Sequence, residues 1–178
     1  MNIKYELALG DDIGAAVEIL ITCWNNDYAH FIPKNYLRYD EKIKEIKEWI
    51  NGKYNNDKRI ILLAKLKNEL IGFIGTSFAE LYDSNNGIEI NYLFLKESER
   101  GKLFGMGLIF NALRYYENRD QVIVYNWQKA KSHKFYEKLG GSIIRSDIQK
   151  VNDVNLVVDV FEFNYNELMN YISEKINR

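Results

Sequence analysis

Residues 87–116 read GIEINYLFLKESERGKLFGMGLIFNALRYY, and this stretch decides how the chain folds. Ile88 to Leu95 is an apolar run of strand length, bounded on its N-terminal side by the turn-forming Asp83–Gly87 (DSNNG). A short basic turn with glycines follows. Beyond it Leu108, Ile109, Ala112, Leu113 and Tyr116 recur on one side of a helix. A strand–turn–helix of this kind leaves backbone N–H groups unpaired at the start of the helix, where the dipole also favours negative charge. Arg100 and Lys102 add positive charge, and Gly101, Gly105 and Gly107 let another group come close to the backbone. The turn therefore reads as an anion site, one that holds the pyrophosphate of a coenzyme.

Upstream, Ile3, Tyr5 and Leu7 alternate as in a half-buried strand. Gly10–Asp12 makes a turn and cap for a first helix, Asp12 to Asp27, with Ile13, Val17, Leu20, Ile21 and Trp24 at helical spacing. The aromatic segment Tyr28–Leu37 breaks at Pro33. Asp40 caps a second helix with Ile43, Ile46, Trp49 and Ile50 on one face, ended by Asn51 and Gly52. After the polar loop Lys53–Lys58, the runs Arg59–Leu66 and Leu70–Phe78 form a hairpin around Lys67–Glu69, and Ile88–Leu95 extends it into a meander. Gly72 and Gly75 mark a bulge or close packing.

Downstream, Val122–Tyr125 is a short strand, parallel to Ile88–Leu95 because a crossover helix joins them. Lys129–Leu139 reads as a helix ended by Gly140 and Gly141. Ser142–Ile148 and Val154–Phe163 form a final antiparallel pair, and Asn164–Ile176 a last helix with Leu168, Tyr171, Ile172 and Ile176 inward. The order is βααβββαβαββα: a mixed, mostly antiparallel α/β sheet with helices on both faces, in one domain over residues 1–178.

A formal charge of −1 and the lack of a concentrated basic helix face argue against a nucleic-acid partner and against a polybasic membrane anchor. No apolar run is long enough to span a bilayer and the N-terminus does not read as a signal peptide, so a cytoplasmic location is the default. The lone Cys23 falls near the apolar stripe of the first helix and reads as a buried structural thiol rather than a nucleophile. His30 and His133 have no partners at ligand spacing; no metal site is expected, and His133 reads as a surface residue.

Three segments together resemble the GNAT superfamily of acetyl-CoA-dependent N-acyltransferases. Leu93-Phe94-Leu95 and the turn from Arg100 to Gly105, followed by Leu108-Ile109, are similar to the family's R/Q-x-x-G-x-G/A turn after its fourth strand. Leu103 stands where the family has its first glycine; it can still donate its N–H if its backbone angles are ordinary. A second register, Lys102, Gly105 and Gly107, keeps both glycines but strains the spacing to the strand, so the first is preferred. Ser132 to Gly141 (SHKFYEKLGG) resembles the family's S-x-x-F-Y-E-x-L-G-G ending, with Asn126 somewhat early for the usual asparagine. Trp24-Asn25-Asn26-Asp27-Tyr28 through Ile32-Pro33, Tyr36 and Leu37 resembles the start of many members, with Asn25 in place of an arginine.

The resemblance implies an N-acetyltransferase moving an acetyl group from acetyl-CoA directly to a primary amine, with no covalent intermediate. It implies a cofactor site made of the backbone of Leu93 and Leu95, the turn Arg100, Gly101, Lys102, Leu103, Phe104 and Gly105, and Ser132. It assigns Tyr136 as the acid that protonates the departing thiolate, a task a neutral phenol can perform; a purely structural Tyr136 is the alternative. Glu89, between Ile88 and Ile90, is the candidate base, or else a charge on an exposed sheet face. Glu80 and Asp83 are weaker candidates. Tyr28 and Phe31 are expected to line the acceptor cleft, with Trp24 nearer the core. The acceptor is a small-molecule or peptide amine, and pairing of two copies through the C-terminal strands is compatible with the resemblance. A CoA-binding regulatory module without turnover, and an interaction protein with no cofactor, are the competing functions.

Overall fold

The computed structural model describes residues 3–32, 36–50, 58–151 and 153–177. The expectations about Pro33, the Asn51-Gly52 helix end and most of the Lys53–Lys58 loop lie outside them. In chain order the elements are β1 (Ile3–Leu7), α1 (Asp12–Asp27), α2 (Tyr39–Ile50), β2 (Ile60–Leu66), β3 (Glu69–Phe78), β4 (Gly87–Leu95), α3 (Phe104–Leu113), β5 (Gln121–Trp127), α4 (His133–Lys138), β6 (Ser142–Val151), β7 (Val154–Asn164) and α5 (Tyr165–Ile176). A 3-10 turn, Glu97–Glu99, follows β4. The strands form one seven-stranded sheet in the order β1-β2-β3-β4-β5-β7-β6. Among the described strands only β4 and β5 pair in parallel, because a crossover helix joins them while hairpin-type connections join most of the others.

Helices cover both faces. On one, α1 lays Ile13, Ala16, Val17 and Leu20 with Ile46 of α2 over Ile61, Leu63 and Phe73, a stripe that repeats at helical spacing. On the other, α3, α4 and α5 pack Leu108, Ile109, Leu113, Tyr136, Leu168 and Ile172 against Leu62, Ile74, Ile88 and Val124. Leu108, Ile109, Ala112 and Leu113 are wholly buried; each large aliphatic among them contributes about 1.5–3 kcal/mol. Gly107 lies under Tyr5 of β1, whose ring and hydroxyl occupy the space a side chain would need. That packing accounts for the second glycine of α3 without any ligand.

Four local features differ from the sequence reading. Helix α2 begins at Tyr39, so Asp40 sits in the first turn, where it favours the dipole. Between β2 and β3 only Lys67 and Asn68 form the turn, both with positive φ (51° and 69°), the two-residue geometry that follows the sheet twist. Helix α4 is short, starting at His133 rather than Lys129. The preceding residues are held elsewhere: Trp127 pairs with Val158, and the Gln128 N–H donates to the Val157 carbonyl at 3.0 Å. His133 is half-buried, not a surface residue, and its Nε2 meets Asp159 Oδ2 at 2.8 Å. Among the described residues no helix is long and apolar enough to cross a membrane.

Candidate active site

The site begins with a fault in β4. Gly75 of β3 faces Tyr92 and Thr76 faces Ile90, so Asn91 is an extra residue on β4, a bulge. The bulge changes the phase of the strand. Ile88 and Ile90 point into the α3/α5 core; after it Leu93 and Leu95 do so, while Tyr92 and Phe94 turn to the α1/α2 side. Strand β5 pairs with β4 only from Gly87 to Glu89. Beyond Glu89 the two strands part, opening an edge of β4 in the middle of the sheet.

The turn at the end of that edge has two residues in the left-handed region, Gly101 (φ 77°) and Leu103 (φ 66°, ψ 1°). Leu103 is the N-cap of α3 and does not have ordinary backbone angles. It adopts the conformation a glycine would favour, at a cost of about 1–2 kcal/mol for an L-residue. The turn amides therefore keep the shape that the sequence alone would not impose.

Arg100 is the best-anchored cation of the turn. Its Nη1 and Nη2 donate to the two carboxylate oxygens of Asp27 at 2.9 and 2.7 Å, and its Nε donates to the Leu95 carbonyl at 3.2 Å. The fork-to-fork pair pushes the Arg100 pKa above its ordinary value, chiefly through the Asp27 hydrogen bonds. The Cys23 thiol donates to the same Leu95 carbonyl at 3.2 Å; burial raises its pKa, so it is a neutral, buried thiol. Lys102 pairs with Glu99 at 3.2 Å. Lys131, from the loop before α4, approaches Asp27 at 3.6 Å.

A cavity of about 350 Å³ lies along this edge, walled by Leu93, Phe94 and Leu95, by Arg100, Gly101, Leu103 and Gly105 of the turn, and by Ser132, Phe135 and Tyr136 across from them. Asp27, Tyr28, Met106 and Lys131 complete it. Lys102 and Phe104 are not part of its wall; Phe104 is buried in the core. A second space of about 200 Å³ continues from it between the parted strands, sharing Tyr28, Leu93, Phe94, Ser132 and Tyr136. Asn126 and Trp24 join its wall there. Asn126 Nδ2 donates to Ser132 Oγ at 2.9 Å, and its Oδ1 is buried with no hydrogen-bond partner among the described residues. Tyr136 is buried against Phe161 and Phe163, and burial raises its pKa, so it is a neutral phenol. Phe31 packs behind Tyr28 and Trp127 and does not itself line these spaces, contrary to its expected place in the acceptor cleft.

The path ends in an open cleft of about 610 Å³ that shares Asn91, Tyr125, Gln149 and Val158 with the middle space. Glu89 lies in its wall with Trp49, Arg59, Phe78, Glu80 and Asp147. Burial, then the nearby charges of Asp83 and Glu80, push the Glu89 pKa up to about 7. Asn91 Nδ2 donates to Glu89 Oε1 at 2.9 Å, and Ser77 Oγ donates to Asn91 Oδ1 at 3.1 Å, fixing the carboxylate's orientation. Asp83 is taken up by Arg145 and the Tyr125 hydroxyl. A carboxylate poised near neutrality at the end of a groove is suited to proton transfer. Among the described residues no group of three His, Cys, Asp or Glu side chains is arranged to hold a metal.

A family model described as acetyltransferase (GNAT) family matches residues 17–141, from within α1 to the residue before β6. The chain belongs to the GNAT acetyltransferase family. None of the curated proteins matches it at the sequence level. Solved structures share the fold of this GNAT chain at low identity. An N-acetyltransferase from Staphylococcus aureus Mu50 aligns with a TM-score of 0.69 and 16% identity, over 92% of this chain and 99% of that one. The PaiA N-acetyltransferase from Thermoplasma acidophilum, solved in complex with coenzyme A, gives 0.66 and 19%, over 93% and 100%. A spermidine N-acetyltransferase chimera with a Vibrio cholerae parent gives 0.66 and 16%, over 96% and 99%.

Within the GNAT frame the structure gathers Tyr28, Leu93, Leu95, Arg100, Gly101, Leu103, Gly105, Ser132 and Tyr136 around one cavity and sets Glu89 in the cleft beyond the middle space. The register Arg100 to Gly105 is the one that meets the cavity, since Gly107 is spent on packing against Tyr5. Sequence reading gave no role to Asp27, Lys131 or Asn91, and placed Asn126 somewhat early for the usual asparagine. Only Asp27 carried a readable signal: a carboxylate as the last residue of a helix, where the dipole disfavours it.

Proposed function

We propose that this GNAT chain moves the acetyl group of acetyl-CoA directly onto a primary amine, with Glu89 as base and Tyr136 as acid. The observation that carries the reading is Glu89, held near neutral pKa in a cleft that runs into the cavity walled by Tyr136. The residues fit the co-substrate. Arg100, Gly101, Leu103 and Gly105 of the turn line a cavity of about 350 Å³ at the start of α3, where helix N–H groups would meet the pyrophosphate, and the edge of β4 near Leu93, not paired with β5, offers the pantetheine arm a strand to pair with. The Leu95 carbonyl already accepts from Cys23 and Arg100, so Leu93 is the better partner of the two.

Glu89 takes a proton from the ammonium of the acceptor, directly or through one water. The amine lone pair attacks the thioester carbonyl; as the tetrahedral intermediate collapses the C–S bond breaks, Tyr136 gives its phenolic proton to the thiolate, and the attacking nitrogen loses its second proton through solvent to the tyrosinate, so the amide forms neutral and Tyr136 is restored. No enzyme nucleophile is needed, consistent with a buried, neutral Cys23. Glu80, Glu89 and Asp147 face the cleft against Arg59, a balance that favours a cationic, small-molecule amine.

Release of thiol from acetyl-CoA across a panel of amines tests this. Tyr136→Phe and Glu89→Gln should each slow turnover by about 10²–10⁴-fold; unchanged rates in both would remove the assigned roles. A module that binds CoA without transfer is the second reading, favoured by the separation of Tyr136 and Glu89 into two spaces that share no lining residue. Calorimetric binding of acetyl-CoA with no turnover on any amine would establish it.

A further inference from the structure

Asp27 stands in a place that electrostatics alone does not explain. It is the last residue of α1, with no basic residue in that turn of the helix, and it lines the cavity assigned above to a pyrophosphate. Both the helix dipole and the phosphates oppose a carboxylate there. Yet it is 9% exposed and held by both of its oxygens.

We propose that Asp27 is a positioning residue for the cofactor: through Arg100 it clamps the phosphate turn to the end of α1, and Arg100 serves the turn rather than the phosphates. The inference rests on the CoA reading of the cavity. One guanidinium joins three parts of the site, since it grips Asp27 of α1, caps the Leu95 carbonyl at the end of β4 and belongs by its backbone to the turn. Cys23, one helical turn before Asp27, makes a second tie from α1 to the same carbonyl at 3.2 Å. The clamped turn is the one that carries Leu103 and Gly101 at positive φ. Strained backbone of this kind persists only where its surroundings over-determine it, and the Asp27–Arg100 pair is the restraint on its entry side. With the turn fixed beforehand, its N–H groups need no ordering when the anion arrives, which strengthens binding.

The sign of one substitution separates the clamp from simple charge. If Asp27 acts only as a negative charge beside an anion, Asp27→Asn tightens CoA binding. If it clamps the turn, Asp27→Asn weakens it by about tenfold, a change of about 1.4 kcal/mol. Isothermal titration of CoA into the wild type, Asp27→Asn, Arg100→Lys and the double variant Asp27→Leu/Arg100→Met reads this directly. Arg100→Lys keeps the charge but loses the fork, and should weaken CoA about as much as Asp27→Asn. The double variant removes both charges together, so no buried charge is stranded and the fold survives; its affinity loss should match the single variants instead of summing them. In steady state the effect should fall on KM for acetyl-CoA, with kcat at saturation within about twofold of wild type. CoA affinity equal to or tighter than wild type in Asp27→Asn, or full affinity in Arg100→Lys, overturns the clamp. Failure of the wild type to bind CoA overturns the cofactor reading, a result visible before any variant is compared.

Discussion

Leu103 carries φ 66° at the N-cap of α3, and the cost of that angle makes a prediction. Leu103→Gly relieves about 1–2 kcal/mol of backbone strain and gives up about 0.5–1 kcal/mol to the freer unfolded chain. Little side-chain burial is lost, since Leu103 is 44% exposed. Urea melts should show the variant about 0.5–1 kcal/mol more stable than wild type, and Leu103→Val less stable, because branching at Cβ disfavours positive φ further. Glu89 makes a second. Its folded pKa of about 7 lies above the ordinary carboxyl value, so between those values the native state holds the proton more tightly than the unfolded chain. Wild-type stability from this group is therefore greatest at low pH and falls as pH rises through about 7. Glu89→Gln should melt higher than wild type at pH 8, and the gain should shrink toward pH 5. At this scale the sequence was uneven. A glutamate between Ile88 and Ile90 announced itself because a charge breaks the apolar run; the angle at Leu103 did not, because leucine tells nothing about a backbone forced by its neighbours.

Among the elements, strand and helix order followed from apolar periodicity, and α1 matches its expected limits because its stripe is unbroken from Ile13 to Cys23. Helix α4 is shorter than its sequence suggests because Trp127 and Gln128 are claimed by β7, long-range pairing that local spacing does not report. The start of α4 is instead pinned by Asp159 of β7, 2% exposed, which accepts from Gln128 at 2.9 Å, Ser146 at 2.5 Å and His133 at 2.8 Å. Burial alone would raise the Asp159 pKa, but these hydrogen bonds outweigh it and hold it below the ordinary value. Asp159→Ala strands three polar partners and should cost about 3 kcal/mol in a chemical melt at pH 7. A depressed carboxyl stabilises above its unfolded pKa, so the gap between wild type and variant should close as pH falls below about 4. At Gly72 a side chain would run into the Phe94 carbonyl and Leu95. Gly72→Ala should destabilise by about 1–3 kcal/mol, with a raised KM for acetyl-CoA as the Leu95 end of the groove shifts.

Across the whole molecule, one departure from a regular sheet produces the site. The Asn91 bulge and the three-residue pairing of β4 with β5 open a groove through the middle of the sheet. The turn from Arg100 to Gly105 stands at one end of this groove, Tyr136 in its wall and Glu89 at the other end. The order of elements and the motif turn were legible because both are local. The clamp from Asp27 to Arg100, 73 residues apart, was not, since it exists only after α1 and β4 pack. The pH dependence of kcat/KM for acetyl transfer to a cationic amine tests the central claim most directly. With Glu89 as the base, the wild-type rate should rise with pH to a plateau, with an apparent pKa of about 7. Glu89→Gln should lose that limb as well as most of the rate. A wild-type profile flat through pH 7, or one that Glu89→Gln leaves unchanged, would contradict the account.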